Sequence, residues 1–548
     1  MDAEIVSLLA ELVALKSVSG TAGEKQIEDF LLAHLRALPY FTARPELCGA
    51  VTLPGDALGR RVIFALVQGK RPATVLFMNH HDVVDTSVYG AAEPWACDLK
   101  RAARHVAELK ISDEARQDLE SGAWLFGRGA CDMKGGLAVQ LTVLKAYAQD
   151  PEQGSLLFVS VPDEEAFSAG MRGALPFLQQ LRAKYHLDYK ILINCEPNRR
   201  EGDQQVVSCG SVGKLLPVVL VQGKVVQIGS YAQGLNPVSV LAELVTRTEG
   251  DKEFVEHSGA EQTVPPVWYF MRDLKRGYDY SLPAQAAGYC NILCFKRSAS
   301  QVLAYFVRQT EAAVQSALAK QLRLVQTGDD KDVARAASDV GRHETGESNL
   351  QPAITNLVHS LPVLTFAALQ KQAQQKTGYD HFAAQLQKDL AAKLAGQELD
   401  YPQATIAAMQ ATLTFCSLTA PVAVVGFAPP YYPALNSHEL AGREYAALQE
   451  LIGSLLPVRF EDYFLGVSDC SYCGLTTQED SAAYAENTPL WGPLYSFNLQ
   501  ALGELQIPFF LLGPWGKDLH QVTERVNIHS LTVILPALLQ KVLQRAWA

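Results

Sequence analysis

An apolar run that ends near two adjacent acids constrains the fold of this chain more than any other feature. Residues Ser155–Val161 have the composition of a buried strand, and Glu164 and Glu165 follow shortly after it. Open α/β sheets carry their chemistry at the carboxyl ends of their strands. Because neighbouring carboxylates repel, one of the two acids would be protonated unless a cation lay near. A metal ion would resolve this conflict, since one acid could bind it while the other moved protons.

The pattern around this run predicts a layered α/β domain. Further strands are predicted for residues 61–67, 73–78 and 189–194, and a helix with an apolar face is predicted for residues 136–149. Strands that alternate with helices are typical of a mixed or parallel sheet with helices on both faces. The acids are therefore expected where one strand of that sheet ends.

The pattern changes near Cys209, where a smaller α+β unit is predicted inside the first domain. Its predicted elements are a strand, a helix, a second strand and a long helix, at residues 213–221, 238–248, 289–295 and 300–322. The polar and charged composition of residues 327–350 predicts a mobile loop. Residues 364–395 are rich in Gln, Ala and Lys, and we interpret them as solvated helices.

A buried strand predicted for residues 420–427 marks the return to the first domain. We therefore assign residues 1–208 and 416–548 to one α/β domain, and residues 209–415 to the inserted domain with an extra helical segment. With 548 residues, the chain is too long for one ordinary core.

Charge and composition exclude several classes of partner. The formal charge of −11 argues against non-specific binding to nucleic acid or to anionic lipid. The apolar stretches are too short and too interrupted to span a bilayer. The acidic N-terminus does not have the pattern of a signal peptide, and the ten cysteines are scattered, so we expect a reduced, cytoplasmic protein.

Four further polar sites are predicted to follow strands or to precede a helix. They are His80 with Asp82, Asp132 in the glycine-rich segment 127–136, Glu196, and His520. Each is weak alone, because a histidine in a loop and an aspartate that caps a helix are common features. The glycine-rich segment has neither the spacing of a phosphate-binding loop nor that of a dinucleotide fingerprint.

The order His, Asp, Glu-Glu, Glu, His along the chain resembles the catalytic core of the M20 family of co-catalytic zinc peptidases and amidohydrolases. The resemblance covers both ends of the chain, and the inserted unit resembles the lid or dimerisation domain of that family. The motifs that carry it are G-R-G-x-x-D-M-K-G-G, D-E-E, E-P and G-P-x-G-x-x-x-H-x-x-x-E. The long middle segment and residues 428–433 look more like the RocB-type branch than like the shorter dipeptidases.

The resemblance implies a site for two divalent metal ions. His80 and Glu196 match the ligands of one metal, Glu165 and His520 match those of the other, and Asp132 matches the bridging carboxylate. Such ligands suit zinc, and cobalt or manganese would also fit. In relatives the peptide bond after the bridging aspartate can be cis, so we expect a constrained backbone there.

The same resemblance assigns the catalytic roles. Glu164 matches the general base that would act on a water between the metals, and Asp82 matches the acid that orients His80. This implies hydrolysis of an amide bond in a small peptide or an N-acyl amino acid. It also implies a possible homodimer through the lid.

The lid departs from the family pattern at one position. Relatives usually carry a histidine that reaches the partner's site and helps to hold the oxyanion, whereas this chain has Gln227. Asn291 is a further candidate for substrate or oxyanion binding. Arg297 could clamp a substrate carboxylate, and a surface arginine is an equally good interpretation. Gln227 favours one alternative, a metal-binding protein with little catalysis that acts in binding or regulation. A two-metal phosphoesterase is a weaker third hypothesis.

Overall fold

The computed structural model describes residues 2–327, 361–475 and 478–548. The predicted mobile loop at residues 327–350 lies outside these ranges, apart from residue 327. The described chain is built on two larger sheets with helices packed against them, and the mixed α/β architecture confirms the predicted fold class.

The larger sheet contains most of the strands predicted for the first domain. Ser155–Val161 is buried along its whole length, because it pairs with a strand on each side: antiparallel with Arg61–Val67 and parallel with Ala73–His80. The order across the sheet is Cys48–Thr52, Arg61–Val67, Ser155–Val161, Ala73–His80, Asp188–Asn194, Phe509–Leu511, Gln204–Ser208 and Val458–Glu461, and the short strand Arg200–Glu201 pairs with Gln204–Ser208.

Helices cover this sheet, as the alternating pattern predicts. The helix Lys134–Tyr147 is almost fully buried between the sheet and the helix Asp2–Ala14, which explains why its sequence is apolar on most sides. The other helices outside the inserted domain are Gly23–Arg36, Pro39–Ala43, Leu99–Glu108, Asp113–Ser121, Ala169–Tyr185, Ser437–Leu440, Arg443–Leu455, Gln478–Glu486, Leu499–Leu505 and Leu535–Trp547.

The second sheet has five strands and forms the inserted domain. Its order is Val267–Asp273, Gln285–Cys294, Gly213–Gln222, Val422–Tyr432 and Val363–Thr365, and only the last pair is parallel. The helices of this region are Pro237–Thr248, Ala299–Thr327, Phe366–Gln374, Tyr379–Ala395 and Tyr401–Phe415.

The second sheet corrects one detail of the division proposed from sequence. The strand Val422–Tyr432, which we assigned to the last segment of the first domain, pairs with Gly213–Gln222 over most of its length. An apolar strand carries no label for the sheet it joins, so the sequence could predict the strand but not its partner. The chain therefore leaves the second sheet after Tyr432 rather than at residue 416.

A separate sheet of three short strands ties distant parts of the chain together. Gly516–Lys517, Arg525–Asn527 and Trp124–Phe126 form an antiparallel sheet.

Within the described ranges, none of the helices combines the length and the apolar character that crossing a bilayer requires.

Candidate metal centre

Parallel pairing brings the predicted site residues to one edge of the larger sheet. Three consecutive strands of that sheet, and a fourth from the end of the chain, point the same way: Ser155–Val161, Ala73–His80, Asp188–Asn194 and Phe509–Leu511. His80 is the last residue of its strand, and Glu196 lies two residues beyond the end of the next. Side chains that are far apart in sequence therefore converge.

A bend separates the two adjacent acids. Asp163 has a φ of 72°, and Arg60 holds its carboxylate with a hydrogen bond of 2.6 Å from Nη1. After this bend, Oε2 of Glu165 lies 3.1 Å from Nε2 of His520. Glu164 makes no such contact with His520, and it lines the adjoining cavity together with Glu165.

The small three-stranded sheet positions the remaining residues. His520 lies in the loop between Gly516–Lys517 and Arg525–Asn527, and Asp132 follows the third strand, Trp124–Phe126. The peptide bond between Asp132 and Met133 is cis, in agreement with the expectation of a constrained backbone.

Close packing brings the start of the helix Lys134–Tyr147 against the strand end that carries Glu196. A Cβ atom on Gly136 would lie only 2.2 Å from the carbonyl oxygen of Cys195. Glycine is therefore required at this position for the helix to approach so closely.

Asp132 lies between the two histidines. Its Oδ1 is 3.2 Å from Nε2 of His80, and its Oδ2 is 3.1 Å from Nε2 of His520. Nε2 of His80 is also 3.3 Å from Oε1 of Glu196. The structure thus brings together the five residues that the sequence assigns to the metals, in the pairs that the sequence assigns.

The electrostatics of the centre are those of a crowded anionic site. Burial and the neighbouring Asp132 raise the pKa of Glu165 and of Glu196 to about 7. Burial and the charge of Glu196 raise the pKa of Glu164 well above its ordinary value. Hydrogen bonds to Asp132 and Glu165 raise the pKa of His520 to about 10. All four pKa shifts reflect carboxylates that lack enough positive charge around them.

This donor set fits divalent metal ions. Oε1 of Glu165 is buried and has no hydrogen-bond partner among the residues that the structure describes. Ligand atoms of His80, Asp132 and Glu165 lie within 4.8 Å of one another. Imidazole and carboxylate ligands around a shared aspartate are suited to zinc and to similar divalent ions.

Asp82 supports the centre from behind. Its Oδ1 lies 3.5 Å from Nδ1 of His80 and accepts a hydrogen bond of 3.1 Å from the amide of Glu164. Its Oδ2 accepts from the hydroxyl of Ser19 at 2.6 Å and from the amide of Glu165 at 3.2 Å. Because the hydrogen bonds of Asp82 favour its charged form, its pKa falls to about 2 although burial opposes this. Asp82 thus fixes both the ring of His80 and the backbone of the acid pair.

A buried ion pair supports the other side. The guanidinium of Arg128 binds the carboxylate of Glu524, and its Nη2 also donates to the carbonyl oxygen of His520 at 2.9 Å. Oε1 of Glu524 accepts from the amides of Cys131 and Asp132 at 3.3 and 3.4 Å. This pair joins the loops that carry Asp132 and His520.

The centre opens into a cavity of about 850 Å³. Glu164, Glu165, Glu196, Asp132 and His520 line it. The residues that the sequence proposed for substrate binding, Gln227, Asn291 and Arg297, are not among the described residues that line this cavity.

These three residues have other surroundings. Gln227 is exposed, and its backbone pairs with Ser281. Asn291 lies inside the strand Gln285–Cys294, opposite Val267. Nη2 of Arg297 donates to the carbonyl oxygen of residue 253 at 2.5 Å, and its Nε lies 3.4 Å from the carboxylate of residue 256.

Several cavity residues were not identified from sequence. Lys214 and Tyr432 enter the cavity from paired positions on two strands of the second sheet, and Arg200 and Trp515 line it from the larger domain. A charged residue within the apolar run Gly213–Gln222 is the one signal that could have pointed to Lys214. Tyr432 gave no such signal, because aromatic residues in strands usually pack in a core.

Fold and site together define the class of this protein, a metal-dependent hydrolase. The model of peptidase family M20/M25/M40 matches residues 76–485, and the chain belongs to this family. The predicted family and hydrolase class are thereby confirmed.

Two bacterial relatives match over nearly the full length. The uncharacterised protein YqjN of Bacillus subtilis (strain 168) is 32% identical, over 98% of this chain and 95% of its own. Protein RocB of the same strain is 26% identical, over 98% of this chain and 94% of its own. These matches support the RocB-like branch that the sequence motifs indicated.

A solved structure supports the fold. The YXEP protein of Bacillus subtilis, described as a dinuclear metal-binding peptidase of the M20 family, has a TM-score of 0.50 and 10% identity. The match covers 100% of this chain and 99% of that structure. At this identity the likeness shows a shared fold.

Proposed function

We propose that the protein is a two-metal hydrolase that cleaves an amide bond in a small substrate derived from an amino acid. The observation that carries this proposal is the position of Asp132, with one oxygen facing each of two histidines. Each histidine also faces a second carboxylate, from Glu196 or Glu165. His80 with Glu196 and His520 with Glu165 would hold one metal ion each, and Asp132 would bridge them, most favourably with zinc.

Two such ions would supply Lewis-acid chemistry and would lower the pKa of a bound water molecule. Glu164 is the residue suited to move the proton. It lines the cavity, and it contacts neither histidine in the way that Glu165 does. A carboxylate at this position can accept a proton from water and release it again.

Proton transfer through Glu164 accounts for each bond that forms or breaks in the proposed reaction. Glu164 takes a proton from the attacking water while the water oxygen bonds to the carbonyl carbon of the substrate. The bond between that carbon and the amide nitrogen then breaks, and Glu164 passes the proton to the leaving nitrogen. Asp82 holds the backbone amide of Glu164, so the base keeps its position during both transfers.

The substrate class follows from the size of the site and from its chemistry. A cavity of about 850 Å³ suits a small molecule such as a dipeptide or an N-acyl amino acid. The formal net charge of the whole protein is −11, which gives no support for nucleic acid as a partner. All ten cysteines are unpaired thiols, which supports a reducing compartment such as the cytoplasm.

Metal analysis followed by a substrate screen tests this proposal. The purified protein should hold two equivalents of zinc, manganese or cobalt after loading, and it should hydrolyse members of a panel of dipeptides and N-acyl amino acids. Protein that binds no divalent metal would contradict the proposal. The phosphoesterase hypothesis predicts turnover of phosphate esters instead.

An exposed edge of the second sheet supports a homodimer. The outer side of Val267–Asp273 has no partner strand among the described residues, and Tyr269 is 68% exposed there. A long edge strand with exposed apolar side chains favours pairing with a second copy. Light scattering should give twice the mass of the chain, and a monomeric mass would contradict this part of the proposal.

Gln227 keeps the alternative of weak catalysis open to test. Its side chain is exposed and does not line the cavity of the single chain, so a role at a metal centre would need a partner subunit or a movement of the inserted domain. A glutamine amide can donate a hydrogen bond but carries no charge. Absence of turnover from metal-loaded dimers on every substrate of the panel would favour a binding or regulatory role.

A further inference from the structure

Four lysine and arginine side chains line the cavity, and they divide into two groups. Arg199 is paired with Glu461 at 2.7 Å, and Lys517 is paired with Asp118 at 2.8 Å. The other two, Lys214 and Arg200, form no ion pair with any acid in the described ranges. Their charges are therefore available to a molecule in the cavity.

Lys214 is partly buried on the second sheet. Its Nζ lies 5.9 Å from the centre of the Tyr432 ring, and Tyr432 is its cross-strand neighbour. Burial lowers the pKa of Lys214, as expected for an ammonium group that has lost water without gaining an acid. An anion beside it would restore the lost interaction.

Arg200 has the same deficit on the opposite domain. Its guanidinium carbon lies 4.1 Å from the centre of the Trp515 ring, and its Nε is buried without a hydrogen-bond partner. Burial also lowers the pKa of Arg200. Stacking on an aromatic ring holds a guanidinium in one plane and leaves its edge free to bind an anion.

Both cations line the cavity into which the proposed reaction centre opens. Tyr432 lines the same cavity as Glu164, and its hydroxyl accepts a hydrogen bond of 3.3 Å from Ser168. Trp515 directly precedes the short strand Gly516–Lys517, and the loop that carries His520 follows this strand. The acids in this part of the cavity are committed to the metals or to proton transfer, so the two free cations face the rest of the substrate.

We propose that Lys214 and Arg200 bind carboxylate on the substrate and so select substrates that carry a free acid group. This deepens the proposed function and rests on it. A charge-assisted hydrogen bond in a partly desolvated site is stronger than one in water, and a guanidinium can bind a carboxylate through two parallel hydrogen bonds. The role that the sequence offered to Arg297 therefore passes to Lys214 and Arg200.

The test compares acids with their amides. Metal-loaded protein is assayed on N-acetyl amino acids and dipeptides, each as the free acid and as the C-terminal amide. Lys214→Met should raise KM for the acids by about tenfold to a hundredfold, change KM for the amides little, and affect kcat less. Arg200→Gln should act in the same direction, and Lys214→Arg should keep most of the preference.

Arg199→Gln is the matched control, because it removes a cavity cation whose acid partner remains held by Arg459 and Ser208. It should keep the ratio of acid to amide. If the wild-type protein hydrolyses amide bonds but neither Lys214→Met nor Arg200→Gln changes the ratio of acid to amide, the proposal of a carboxylate-binding site is wrong. The proposed function would still stand.

If no substrate is turned over, the proposed function fails and binding decides the site separately. Isothermal titration of N-acetylleucine and its amide into the metal-loaded protein should then show binding of the acid that Lys214→Met abolishes. Equal binding of acid and amide would overturn the carboxylate site.

Discussion

The metal centre and the inserted domain differ in how closely sequence and structure agree. At the centre, residues separated by hundreds of positions, such as His80 and His520, meet around one aspartate. In the inserted domain, Gln227 and Arg297 were chosen by the same motif reasoning and lie outside the cavity that the structure describes. The difference shows that the spatial position of a residue at a strand end can be predicted from sequence, whereas the position of a residue in the inserted domain cannot.

Topology explains the contrast. Parallel strands have their carboxyl ends at one edge of the sheet, so the polar residues that follow these strands must lie near one another at that edge. A residue on the second sheet can face the cavity, the solvent or a second copy, and the choice depends on packing that spacing does not encode. Substitutions in both regions test whether this contrast extends from geometry to energetics.

Replacement of Glu164 should have the largest effect. Glu164→Gln keeps the shape but cannot accept the proton, so turnover should fall by about a hundredfold to ten-thousandfold while the metal content stays at two. Assays and elemental analysis of the same sample would measure both. Glu201→Gln, at an exposed acid, is the control and should change turnover by less than about twofold. Retained activity in Glu164→Gln would remove Glu164 as the base.

Loss of the buried pair beneath the centre should come next. Arg128→Met leaves Glu524 buried without its cation, and the free energy of unfolding should fall by about 3–5 kcal/mol. Urea unfolding with the two-state limits checked would measure it. Arg101→Met, which breaks an exposed pair with Asp98, should cost less than about 1 kcal/mol. Equal losses would mean that the pair adds nothing beyond an ordinary surface contact.

The sequence could predict the residues of the metal centre better than the other residues that line the cavity. The run Ser155–Val161 and the acids after it were enough to place Glu164 and Glu165, because an apolar strand of this length must lie inside a sheet. Nothing comparable marks Tyr432 or Arg200. Their roles depend on the second sheet meeting the larger domain, and the strand Val422–Tyr432 joined a different sheet from the one expected. Residues that act across such a contact have no periodicity of their own to reveal them.

Replacement of Asp82 should have an intermediate effect. Asp82→Asn retains one acceptor oxygen but turns an NH₂ group towards donors such as the amide of Glu165 or the hydroxyl of Ser19. Metal affinity or kcat/KM should fall by about tenfold to a hundredfold, as for other groups that orient metal ligands. Competition with a chelator would measure the affinity. Ser19→Ala removes a single donor and should cost clearly less, and the reverse order would contradict an orienting role for Asp82.

Arg297 should give the smallest effect and the sharpest test of the contrast between the two regions. Its guanidinium contacts the carbonyl oxygen of Glu253, the carboxylate of Glu256 and, at 4.1 Å, the ring of Phe254. Because these contacts occupy it away from the cavity, Arg297→Gln should change KM for free acids by less than about twofold. The substitution should also lower the free energy of unfolding by about 1 kcal/mol, because the ion pair and the ring contact are lost.

Steady-state kinetics, run beside Lys214→Met, would measure KM, and urea unfolding would measure the stability. A tenfold rise in KM for acids but not amides in Arg297→Gln would return the carboxylate to the lid position that the sequence suggested. Such a result would require the inserted domain to move relative to the cavity when substrate binds.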